Sequence, residues 1–81
     1  MRNVSMNEIN QLVGMQLGIR EVSENSLLVE ELGAESADVM NIVAALEEKY
    51  DIVVKETELA RIRMSADLFT LVQMKLSDSS L

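Results

Sequence analysis

The chain has no cysteine and no histidine. Without cysteine there is neither a disulfide framework nor a thiolate zinc site. Without histidine the sequence lacks the commonest general base and the commonest metal ligand. Proline is absent and glycine occurs three times in 81 residues, too few for the many tight turns of a small all-β fold. Aromatics make up 2% against 48% hydrophobic residues overall, so the core has to be built from Leu, Ile, Val, Met and Ala, a mix that suits helices. No apolar run approaches the ~18 residues of a membrane span, and no basic segment leads into an apolar stretch near the start. The expectation is a cytoplasmic protein without membrane insertion, spanning 1–81 as a single domain with one modest core.

Where the charge lies is informative. The formal net charge is −7, which argues against nucleic acid as a partner, because displacing counterions from phosphates requires basic side chains. Residues 30–51 hold Glu30, Glu31, Glu35, Asp38, Glu47, Glu48 and Asp51 against Lys49 alone, so nearly all of the excess acidity sits there. That concentration predicts partners with basic docking surfaces. Glu30-Glu31 and Glu47-Glu48 do not have the ligand spacing of a calcium loop.

Ser5-Met6-Asn7-Glu8 is a capping box that opens a first helix, with Met6, Ile9, Leu12, Val13 and Leu17 on one side and Gly18 at its end. Residues 19–31 form a long connection in which Leu27, Leu28, Val29 and Leu32 are apolar enough to be pinned against a core. A central helix is expected from Ser36 to Tyr50, because Val39, Ile42, Val43, Leu46 and Tyr50 recur at the spacing of one helical face. Ile52, Val53 and Val54 read as a buried connection and Thr57–Ile62 as one or two helical turns. Ser65 is the expected N-cap of a last helix with Leu68, Leu71, Val72 and Leu76 inward. Residues 1–4 and 77–81 are expected to be flexible. The sum is an all-α bundle of three principal helices plus one short helix.

Ser36 sits in the first turn of the central helix, just after Gly33, which can adopt backbone angles closed to other residues. Unpaired backbone N–H groups and the positive end of the helix dipole favour a phosphate or carboxylate there. Taken alone, Ser36 reads more readily as a plain helix-start residue, since Ser is common there. As a hydrolase nucleophile it has no histidine to activate it.

The stretches Leu32-Gly33-Ala34-Glu35-Ser36-Ala37-Asp38 and Ala45-Leu46-Glu47-Glu48-Lys49-Tyr50-Asp51, with Gln16-Leu17-Gly18 and Glu30-Glu31-Leu32-Gly33 before them, resemble the acyl carrier protein family over nearly the whole chain. The resemblance implies that Ser36 accepts 4'-phosphopantetheine from coenzyme A, whose thiol then bears acyl groups as thioesters. It implies a non-catalytic, monomeric carrier acted on by a phosphopantetheinyl transferase and by acyl-processing enzymes, in fatty acid, lipid or polyketide biosynthesis. Glu35, Ala37, Asp38, Met40, Glu47 and Glu48 are then candidate partner contacts. Leu46, Val54, Leu59, Ile62 and Leu71 are candidates for an acyl-chain cleft. Read from pattern alone, the acids are a solvated helix face, Met40 a residue partly buried at the bundle edge, and the five aliphatics core. Glu35 stands where the family usually has Asp, and Ala37 where it usually has Leu, which points to a specialised carrier. Ala37 also keeps a second reading open, a carrier-fold interaction protein that has lost the cofactor and acts through its acidic helix.

Overall fold

A computed structural model describes residues 3–79, so the expected flexible ends lie partly outside it, at 1–2 and 80–81. The described residues form four helices and no strand: α1 (Met6–Leu17), α2 (Ser36–Tyr50), α3 (Glu56–Leu59) and α4 (Ser65–Ser79). None of them is long and apolar enough to cross a membrane. The helix α4 runs past Leu76, where the sequence suggests a tail, and Val4 packs against the core rather than hanging free.

The helix α1 begins as its capping box predicts. The Ser5 hydroxyl accepts from the Glu8 amide at 3.1 Å and the Glu8 carboxylate accepts from the Ser5 amide at 3.1 Å. It closes at Gly18, whose N–H donates to the Gly14 carbonyl. The helix α2 ends at Asp51, held in the left-handed region with φ 55°. Its N–H and that of Ile52 both reach the Glu47 carbonyl, the latter at 3.2 Å, satisfying the last turn of the helix.

The core is aliphatic. Ile9 and Val13 of α1, Ile42, Val43, Leu46 and Tyr50 of α2, and Leu68 and Val72 of α4 are buried together, with Leu28, Ala34 and Ile52 contributed by connections. The helix α1 packs against both α2 and α4, and α2 meets α4. Two expectations about the connections need correction. Val29 points outward at 54% exposure and Val53 at 73%, so only Leu28 and Ile52 of their apolar runs are fully buried.

The start of α4 differs most from expectation. Ser65 does not cap the helix: it is its first residue, fully buried, and its hydroxyl donates to Asn10 Oδ1 at 2.7 Å. The orphan amides of the first turn are instead met by the long connection, Ser65 N–H donating to the Ser26 carbonyl and Ala66 N–H to the Glu24 carbonyl. The Asp67 carboxylate accepts from the Arg63 and Met64 amides. An isolated antiparallel bridge between Leu27 and Met64 completes the seam.

Candidate attachment site at the start of the second helix

The approach to α2 is held from below. Leu28 is 1% exposed; its carbonyl accepts from the Ala34 amide and its amide donates to the Arg63 carbonyl, each at 2.9 Å. One buried residue thus ties the loop before Ser36 to the loop between α3 and α4 that carries Ile62. Gly33 makes the bend between them at φ 72°, a conformation that other residues adopt only with strain. Ala34 then turns into the core and is buried.

Glu35 is the extended residue that precedes the helix, and its N–H donates to Asp38 Oδ2 at 2.9 Å. The first intrahelical bond runs from the Val39 amide to the Glu35 carbonyl. The amides of Ser36 and Ala37 therefore stand ahead of the helical ladder, at the positive end of α2. Ser36 is exposed, and its hydroxyl has no partner among the described residues. The residues present fit a phosphodiester on that oxygen: the hydroxyl is accessible, main-chain donors stand beside it, and the helix on which it sits is anchored by buried neighbours.

The other candidate residues separate into groups. Ala37, Met40 and Glu48 are exposed on α2, and Glu35 is exposed just before it. Asp38 and Glu47 are half-buried and have structural duties: Asp38 caps the helix start, and Glu47 Oε2 accepts from the Val54 amide at 2.9 Å, fixing the chain that leaves α2. Nothing in the spacing of Glu47 announces that bond, because its partner lies beyond the helix end. Leu46 is buried in the core, and Val54, Leu59 and Ile62 are partly buried and packed against that core. Leu71 is half-buried on α4. Leu28 is buried as its place in the apolar Leu27-Leu28-Val29 run suggests. Its main-chain tie to Arg63 and the burial of Ala34 are the positioning features that residue type did not announce.

Residues 7–70 match the family described as a phosphopantetheine attachment site. The chain is 38% identical over 68 residues to an acyl carrier protein of Wolinella succinogenes, covering 82% of this chain and 90% of that one. It is 31% identical over 70 residues to an acyl carrier protein of Chlamydia felis, covering 84% and 90%. The chain belongs to the acyl carrier protein family. The crystal structure of an acyl carrier protein from Thermotoga maritima agrees with its fold at a TM-score of 0.78 and 25% identity, covering 91% of this chain and 88% of that one. The family's cofactor is 4'-phosphopantetheine, and its members are carriers of acyl groups rather than catalysts, served by phosphopantetheinyl transferases and acyl-processing enzymes. In such a carrier the thiol chemistry is supplied by the bound arm, so the want of cysteine is no obstacle.

Proposed function

We propose that Ser36 is the residue that bears the arm, and that the chain, as one carrier domain over 1–81, presents acyl thioesters to partner enzymes as a specialised, monomeric, cytoplasmic carrier in fatty acid, lipid or polyketide biosynthesis. The observation that carries this is the exposed, unpartnered hydroxyl of Ser36 at a helix start whose first amides precede the ladder. The flanking carboxylates of Glu35 and Asp38 make the same helix end a poor trap for a free anion, so a phosphate belongs there through a covalent bond. Exposed acids at the start of α2 and along it, Glu35 and Glu48 foremost, offer basic docking surfaces a complementary face. Leu46, Val54, Leu59, Ile62 and Leu71 form the proposed shelter for the acyl chain. An aliphatic core with two rings in the whole chain, Tyr50 and Phe69, is one that small side-chain shifts can open.

Incubation with coenzyme A, magnesium and a broad-specificity phosphopantetheinyl transferase, followed by intact mass measurement, tests the assignment. The expected result is a gain of one phosphopantetheine unit that disappears in Ser36→Ala, with the variant still folded. Modification retained in Ser36→Ala would move the attachment residue elsewhere. No gain in the folded wild-type chain would favour a fold that acts through its acidic helix alone.

A further inference from the structure

An arm on Ser36 begins with a phosphodiester, which is ionised at neutral pH. Residues 30–38 already hold Glu30, Glu31, Glu35 and Asp38 with no base among them. Like charges so close repel, and salt screens the repulsion only in part. The attached arm therefore calls for a cation brought in from elsewhere in the fold.

The described cations differ in what they can reach. Lys49 lies at the far end of α2, about 20 Å from Ser36 at the helical rise, and is paired with Glu8. Lys75 on α4 is bonded to Glu58 at 2.8 Å. Lys55 stands at the start of α3, next to the Val54 that Glu47 ties to the far end of α2. Arg20 follows α1, and among the described residues no main-chain bond joins it to the loop before Ser36. Arg63 is different. Its carbonyl accepts from the Leu28 amide at 2.9 Å, and the Leu28 carbonyl accepts from the amide of Ala34, just before Glu35 and Ser36. Its guanidinium turns back onto the same loop, Nη2 lying 3.8 Å from Glu30 Oε2. That separation makes an ion pair without a hydrogen bond. The two side chains are 73% and 52% exposed, so the pair is weak and open to exchange. A guanidinium also matches the oxygens of a phosphate with two parallel donors, a fit that the Glu30 carboxylate does not use at this distance.

We propose that Arg63 is the counter-cation of the arm: once Ser36 is modified, its guanidinium leaves Glu30 for the phosphodiester. This rests on Ser36 as the attachment residue. The consequence is directional. Ile62 precedes Arg63 and packs against the core, so a phosphodiester held by Arg63 is drawn toward the loop that carries Ile62, a residue of the proposed acyl shelter. Arg63 is here a positioning residue and forms no covalent bond in the loading of the arm.

The test compares apo and holo forms of the full chain, the holo form made with coenzyme A and a broad-specificity transferase. The readouts are Tm at low salt and the phosphorus NMR resonance of the phosphodiester. The change in Tm from apo to holo should be more favourable in wild type than in Arg63→Gln by about 1–5 °C, the worth of one exposed pair in a domain of this size. The phosphorus resonance should move in the same variant. The Leu28 tie uses the main chain of Arg63, so the apo variant should keep wild-type helicity. Arg63→Lys should retain part of the Tm difference, because it keeps the charge without the fork. Arg61→Gln removes the same charge from a neighbouring exposed position and should match wild type in both readouts. The proposal is overturned if Arg63→Gln leaves either readout as in wild type, or if Arg61→Gln shifts both as much. Either result, obtained with one arm on Ser36, leaves the carrier assignment standing and removes only this inference. A folded wild-type chain that takes no arm removes both.

Discussion

The Glu8 carboxylate joins three groups from two helices. One oxygen accepts from the Ser5 amide; the other accepts from the Tyr50 hydroxyl at 3.3 Å and lies 3.6 Å from the Lys49 ammonium. Start of α1 and end of α2 are thereby linked at the rim of the core, through the hydroxyl of the buried Tyr50. The hydrogen bonding of the Ser5 side chain holds the Glu8 carboxyl below its ordinary value of 4.5. Partial desolvation opposes this, while the Ser5 amide, the Tyr50 hydroxyl and the Lys49 charge assist it. A carboxyl lowered in the folded state contributes stability that is present above its unfolded value and is lost as pH falls through the folded one. In Glu8→Gln that contribution is gone at every pH. Chemical denaturation from neutral pH down to acid should show wild type more stable above pH 4.5, with the gap closing below it. A gap that stays constant down to acid pH would mean that the link acts through shape rather than charge. Tyr50 titrates the other way: burial first, then the Glu8 charge and hydrogen bond, push its hydroxyl above its ordinary value, so it stays protonated throughout this range.

At the scale of the element, Gly14 shows how a neighbour can reverse a helix propensity. It lies in the middle of α1, where replacing glycine by alanine ordinarily stabilises a helix by about 1 kcal/mol. Here it is buried, and a Cβ on it would stand 2.6 Å from the Ile19 carbonyl oxygen, a backbone atom of the returning chain. The Ile19 amide also donates to the Gly14 carbonyl at 2.9 Å, so that chain cannot easily step back. Gly14→Ala should lower stability by about 1–3 kcal/mol in urea denaturation, the range for overpacking, and a gain would show that the turn after Gly18 yields. The same comparison of local and distant causes explains what could be read in advance. The start of α1 was legible because Ser5 and Glu8 answer each other within one turn. The central helix was legible because Val39, Ile42, Val43, Leu46 and Tyr50 carry its period, and Ser36 because it opens that helix after a glycine. The start of α4 was not, since its first amides are met by main-chain carbonyls of Ser26 and Glu24 some forty residues earlier, and backbone acceptors leave no mark on residue type. The burial of Ser65, freed to bond Asn10, follows from that distant pairing. The duties of Asp38 and Glu47 were hidden for the opposite reason: on an acidic helix, a carboxylate that bonds an amide looks like any other.

Over the whole molecule the charge distribution sets two salt dependences of opposite sign. The acids of residues 30–51 are concentrated in one segment of a protein with net charge −7. Among the described residues, the ion pairs that could offset this include Glu8–Lys49 at 3.6 Å and Glu30–Arg63 at 3.8 Å, exposed pairs of small worth, and the closer Glu58–Lys75 at 2.8 Å. Self-repulsion should therefore outweigh attraction in the folded state. Raising ionic strength from about 10 mM to about 150 mM shortens the screening length from roughly 30 Å to roughly 8 Å, so Tm should rise. Docking on a basic partner uses the same field attractively, and the KM for arm transfer should rise over the same range. Glu48 separates the two effects. It is exposed near the C-terminal end of α2, where the helix dipole is negative and a carboxylate is disfavoured by about 0.3–1 kcal/mol. Glu48→Gln should raise Tm at low salt and at the same time raise KM for the transferase. A variant that gains Tm with KM unchanged would show that this end of α2 lies outside the docking face, leaving the acids near Ser36 to steer the partner.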